Sequence, residues 1–494
     1  MIRRIKSFLF ENKTAKQTVA KNSFWLAVTN FGGRALKAVI IIYAARVLGT
    51  AGYGVFSYAL TLAGFLTLFI DPGVNAMVMR ETPKAQNEQE ERRILATTLV
   101  MKLVLVAVIV LLVIFVGPYF STLPGADALL PIVALIIAFD STRDFLSAFL
   151  RGREKMEWET AIFLFTNLMI VVFGFAFLAV SPSPLSLGWA YTLGTVAGAL
   201  AAAAVLRKYL KNIFASFSKA LVKPILTSAW PFAVTGALGL LLTNMDILIL
   251  SWMRDASEVG IYSAAIRIVQ ILYLLPVIFQ FSTMPLLARL VHGGEKARFR
   301  TVLERTVGFT FVFSIPMALG GAILAAPILG LIFGGAYLPG TFPFQILVIT
   351  MLVDFPATIV SGAIFAYDHQ KSLIKTSLLA GVMNVGLDLI LIPRFGMAGS
   401  AFGTLATQIA VNWYLWHIMK KINYFSVMPQ LKKVVVAGVV MAGTTTLLAA
   451  LGANVAVNIA ASALIYVALL AAFREPLLAE IKHTLMPARI ISAD

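Results

Sequence analysis

The residues that could do chemistry in this 494-residue sequence are polar and charged side chains set inside long apolar stretches. Asn30, Arg34 and Lys37 follow i, i+4, i+7 spacing, which puts all three on one face of a helix. Gly32 and Gly33 thin the neighbouring face enough for a second helix to pack closely. The two cations repel each other and have no acid in the same stretch. They need either an ion pair from another helix, for example with Asp71 or Asp246, or an anionic ligand.

Other embedded groups offer different chemistry. Asp71-Pro72-Gly73 lies well inside a stretch, where proline and glycine break the backbone ladder and free carbonyls beside a carboxylate. Such a point suits a movable kink, a protonatable or sodium-binding position, or a passive bend. Asp140, Arg143 and Asp144 crowd one turn, so Arg143 can pair at i, i+3 within its own helix or serve a ligand. Asn244 and Asp246 stand in one apolar stretch and Arg267 in the next, where a bridge or a gating pair between Asp246 and Arg267 would fit. Pro276 interrupts that later stretch, and Asp354 and Asp388 complete the embedded acids. Six such acids stand against four bases, so composition does not by itself establish an anion-selective cavity.

Absences narrow the chemistry further. No G-x-x-x-x-G-K-[ST] run occurs, so ATP hydrolysis is not expected. The four histidines are scattered without metal spacing, cysteine is absent, and no G-x-S-x-G occurs. No catalytic residue, metal or cofactor is expected. Work would come from a gradient of H+ or Na+, or from the substrate's own gradient.

The elements that must hold these residues are membrane spans. The chain is 60% hydrophobic and 13% charged, with a mean hydropathy of +0.89. A water-soluble fold cannot hide that much apolar surface. Stretches of about 20 residues recur, each long enough to cross roughly 30 Å of hydrocarbon. They predict an all-α integral membrane protein of about 14 transmembrane helices. The net charge of +17 does not point to nucleic acid, because about 31 of the 40 Lys and Arg fall in the tails and alternate connectors, and about three in the others. That asymmetry predicts a multi-pass protein of the cell membrane with both termini cytosolic. Short connectors leave no room for a soluble catalytic or nucleotide-binding domain.

The sequence also repeats. Ala27-Val28-Thr29 matches Ala233-Val234-Thr235, and Gly54-Val55-Phe56-Ser57-Tyr58-Ala59 matches Gly260-Ile261-Tyr262-Ser263-Ala264-Ala265, both at an offset of 206. Pro72 and Pro276 stand within two residues of equivalence. The repeat predicts two pseudo-symmetric six-helix lobes related by an axis along the membrane normal, 1–220 and 221–425, with two additional spans and a tail in 426–494.

Arg46-Val47-Leu48-Gly49, Gly52-Tyr53-Gly54-Val55-Phe56 and Asp71-x-Gly73 leading to Arg80-Glu81 resemble the start of the Wzx-type oligosaccharide flippases, polysaccharide transporters of the MOP superfamily. Leu150-Arg151-Gly152 and the run from Ile392-Pro393 through Gly396 to Gly399-Ser400-Ala401 extend the match over the first twelve spans. Pro72 within the Asp-x-Gly triplet and Asp368-His369 depart from the pattern. The resemblance implies two six-helix lobes around a cavity. It implies alternating-access flipping of a polyprenyl-(pyro)phosphate-linked oligosaccharide to the outer leaflet, with a polysaccharide polymerase and glycosyltransferases as partners. The pyrophosphate then gives Arg34 and Lys37 their counter-charge, with Asn30, Arg143 and Arg267 as further binding residues. Asp71, Asp246, Pro72 and Pro276 take coupling or gating roles. A cation-coupled multidrug exporter of the same superfamily is the alternative, and would need acids facing the cavity. A membrane glycosyltransferase or polymerase, a third class, is opposed by the short outer connectors.

Overall fold

The computed structural model of the chain describes residues 15–120 and 123–474, and these are helical without a strand. The main helices are α1 (Ala15–Ile70), α2 (Val74–Glu81), α3 (Glu88–Phe115), α4 (Leu130–Gly152), α5 (Met156–Val180), α6 (Pro184–Val205), α7 (Lys219–Met253) and α8 (Ala256–Leu272). They continue with α9 (Leu274–His292), α10 (Lys296–Ile323), α11 (Ala325–Phe333), α12 (Thr341–Ile349), α13 (Met351–Ala366), α14 (Gln370–Ile422), α15 (Met428–Ala450) and α16 (Val455–Ala472).

Ten stretches among the described residues are long and apolar enough to cross a membrane. The sequence count of about fourteen divides two of them that run on through a kink. In α1 the kink is at Gly49 (φ 68°) and in α14 at Gly396 (φ 56°), positive angles that glycine adopts without a Cβ penalty. The count also includes α4, whose run of apolar residues carries Asp140, Arg143 and Asp144, and α7.

The chain divides into two compact units, residues 1–260 and 261–494. The lobes expected at 1–220 and 221–425 rest on sequence repetition, a different criterion from packing. In the first unit, Val78, Leu95, Phe145 and Phe149 form a core shared by α2, α3 and α4. Here too α1 crosses the start of α8 at Gly54 and Gly260. A Cβ on Gly54 would lie 1.7 Å from the Ala256 carbonyl oxygen, and one on Gly260 would lie 2.0 Å from that of Thr50. Thr50 and Ala256 are separated by the same 206 residues as the glycines, so one contact is made twice, reciprocally. Ser257 Oγ donates to Thr50 Oγ1 across it at 2.7 Å.

In the second unit, Leu303, Val360, Ile364 and Met419 centre a core of α10, α13 and α14. The hairpin α15–α16, which has no counterpart in the repeat, packs on α10 through Val434, Met441 and Tyr466. Its two arms are locked by Thr445 donating to Ser462 at 2.8 Å and Asn458 donating to the Thr445 carbonyl at 3.0 Å. Such pairing satisfies polar groups that hydrocarbon would leave bare.

Candidate functional site

Two charged assemblies form in the first unit. The first is built on α1, α4 and α5. Gly33 of α1 faces Phe163 of α5 so closely that a Cβ would stand 2.1 Å from the ring. The absence of a side chain there lets the ring seat against α1. Lys37, one turn on, places Nζ 5.8 Å from the ring centroid, and Arg143 of α4 places its guanidinium carbon 5.4 Å from it. One aromatic face system thus gathers two cations from different helices, a contact that lowers the cost of holding them together. Arg143 is buried and pairs with Asp140 Oδ1 at 3.0 Å, the i, i+3 pairing its spacing predicts. Arg34 and Lys37 are exposed on α1. The Asn30 side chain lies outside the described residues.

The second assembly surrounds the broken end of α1. The helix stops at Ile70, Gly73 takes φ 84°, and α2 begins at Val74. Asp71 Oδ1 accepts the Asn75 backbone N–H at 3.0 Å, and Asp71 Oδ2 lies 3.8 Å from Lys102 Nζ of α3. Lys102 also donates to Asn75 Oδ1 at 3.4 Å, and Asn75 Nδ2 donates to Asp144 Oδ2 of α4 at 2.8 Å. Arg151 continues the chain, 3.7 Å from Asp144 and 3.2 Å from Glu159 of α5. Lys102 is 1% exposed. The sequence reading gave Lys102 no role. Its position inside a span was the available signal, since a buried ammonium demands partners. Asp71 pairs here with Lys102.

The remaining candidates lie on α7, α8 and α9 and in the break before α2. Asp246 is buried in α7 and accepts the Ile247 N–H at 2.9 Å; it belongs to the first unit. Arg267 belongs to the second and donates to Gln270 Oε1 at 3.0 Å. Pro276 is the third residue of α9, and the helix is interrupted ahead of it at Tyr273. Proline withholds the hydrogen bond one turn earlier, so the break precedes it. At Pro72 the break includes the proline itself, because Gly73 can turn left-handed. Tyr273 also bonds Thr350 through their hydroxyls.

Comparison with known proteins agrees with this architecture. Over residues 19–291 the chain matches the family model described as polysaccharide biosynthesis protein. It is 22% identical over 431 residues, 86% of this chain and 89% of the relative, to the "Probable low-salt glycan biosynthesis flippase Agl15" of Haloferax volcanii. Among solved structures, the lipid II flippase MurJ in an inward closed conformation superposes with a TM-score of 0.76 at 17% identity, covering 92% of this chain and 99% of that one. A multidrug resistance MATE family transporter of the MOP superfamily, inward-facing, gives 0.64 at 13% identity, covering 77% and 94%. With all-helical units, charges held at span depth and a family match across more than half its length, this chain belongs to the polysaccharide biosynthesis protein family of multi-pass membrane proteins.

Proposed function

We propose that the protein flips a polyprenyl-(pyro)phosphate-linked oligosaccharide from the cytosolic to the outer leaflet by alternating access, for export of a cell-surface polysaccharide or glycan. The observation that carries this reading is the gathering of Lys37 and Arg143 on Phe163, with exposed Arg34 one turn before Lys37. Cations fixed at span depth suit a pyrophosphate, whose oxygens accept charge-assisted hydrogen bonds. Asn30 and Arg267 are further binding residues in this scheme, and Asp71, Asp246, Pro72 and Pro276 serve coupling to H+ or Na+ and gating. The repeat-defined lobes, 1–220 and 221–425, are the moving bodies, with both termini cytosolic. The protein is a carrier and not an enzyme, and it takes its substrate from glycosyltransferases and delivers it to a polymerase. The names of its relatives, a glycan biosynthesis flippase and a lipid II flippase, support the reading.

The test is lipid extraction from cells lacking the gene, with mass spectrometry of polyprenyl-linked sugars and assignment of their leaflet. Accumulation in the cytosolic leaflet, reversed by the intact gene, is the expected outcome. An unchanged pool overturns the reading in favour of a cation-coupled multidrug exporter.

A further inference from the structure

The crossing of α1 and α8 joins equivalent points of the repeat. Thr50-Ala51-Gly52-Tyr53-Gly54 and Ala256-Ser257-Glu258-Val259-Gly260 each set a small residue four places before a glycine, the spacing that lets two helix backbones touch. A Cβ on Gly54 would fall 1.7 Å from the Ala256 carbonyl oxygen, and one on Gly260 2.0 Å from that of Thr50. The backbones are therefore in contact, with no room for a water molecule between them. Both glycines are buried, and beside them Tyr53 is 2% exposed and Val259 0%. Each of these residues stands 206 positions from its counterpart, the offset of the repeat. A contact made twice in exchange between equivalent residues is what a two-fold axis produces, and it lies on that axis.

The crossing also stands where the chain turns. The α1 helix kinks at Gly49, and α7 ends at Met253 just before α8 begins at Ala256. On the proposed orientation both turns are at the outer face. Glycine against backbone interlocks no side chains, so the helices can part without a rotamer change. Ser257 donates to Thr50 across the crossing at 2.7 Å, a neutral hydroxyl bond whose partners water can satisfy once they separate.

We propose that this crossing is the outer gate of the transport path, closed as seen here and parted when the repeat-defined lobes open to the outer leaflet. The inference rests on the flippase reading above. In that reading the two lobes enclose the path about their shared axis. A backbone contact on the axis at the outer end bars the way out until it breaks.

The chain has no cysteine, so an introduced one is the sole thiol. Ser257→Cys in the full chain, in intact cells, is treated with a membrane-impermeant maleimide from outside. Slow labelling is expected, and several-fold faster labelling when Gly54→Ala or Gly260→Ala is added, because the new methyl holds the backbones apart. Ala96→Cys, buried in the core of the first unit, reports on the fold and should stay protected in every background. Unchanged labelling at position 257, or a parallel rise at position 96 that marks general loosening, overturns the proposal. Thr50→Cys combined with Ser257→Cys adds no bulk at the glycines. Oxidation should join the two positions and stop glycan export, and reductant should restore it. A pair that does not join overturns the gate, as does a joined protein that exports normally and so turns about a fixed contact. The labelling needs no transport, so an unchanged lipid-linked pool in cells lacking the gene removes the flippase reading while labelling still judges the gate.

Discussion

Lys37 on Phe163 and Lys102 in its ion chain belong to assemblies that share helices α4 and α5, yet the two lysines differ in exposure. Lys102 is 1% exposed, and its carboxylate and amide neighbours are fixed residues of α2 and the Asp71 turn. Lys37 and Arg34 are exposed, and Lys37 rests on a ring whose interaction with it is weak. A buried charge is committed to its partners, because removing one strands the other in a low-dielectric site. An exposed charge at span depth keeps access to a ligand. In the proposed function, one assembly holds helices together and the other binds the substrate.

Substitutions within the two assemblies would sharpen or break that contrast. Lys102→Met should be the most damaging, costing about 3 kcal/mol or more by leaving Asp71 without its ammonium. Thermal unfolding in detergent should show a large loss, partly restored by adding Asp71→Asn. Equal stability of Lys102→Met and wild type would end the structural assignment. Arg34→Ala and Lys37→Ala should instead leave folded protein in the membrane while abolishing glycan export, with Arg34→Lys partly active. Normal export by both alanine variants would sink the binding assignment. Gly33→Ala should destabilise by about 1–3 kcal/mol, since the Phe163 ring must be displaced, and Phe163→Ala in the same chain should relieve it; additive losses in the double variant would contradict the contact. Phe163→Leu removes only ring contacts worth about 0.5–1 kcal/mol each and should weaken apparent substrate affinity a few-fold.

The smallest effect concerns pH, at the C-terminal end of α2. Burial pushes the Glu81 carboxyl up, but hydrogen bonds and charge from Lys84 and Arg80 outweigh it and hold the group below its usual range. A folded-state value below the unfolded one means the contribution is present at neutral pH and lost as pH falls through the carboxylate range. Glu81→Gln should flatten the acid limb of unfolding slightly; an identical acid limb in both proteins would contradict the contact.

Within a single helix, the sequence carried most of what the structure shows. Apolar runs of span length, the break at Asp71-Pro72-Gly73 and the Asp140–Arg143 pair all follow from the 3.6-residue period and from the backbone limits of proline and glycine. The repeat named Gly54 and Gly260 as equivalents, and the fold brings them against each other. What tertiary structure alone decided was the rotation of one helix against the next. Periodicity places Lys37 and Arg34 on a face without saying that Phe163 of α5 lies opposite it. It likewise leaves open whether Asp71 meets a cation of α1 or Lys102 of α3. In hydrocarbon every face of a span is apolar, so hydrophobic patterning does not mark the buried side. Close packing at glycines and the need to satisfy each buried charge settle it.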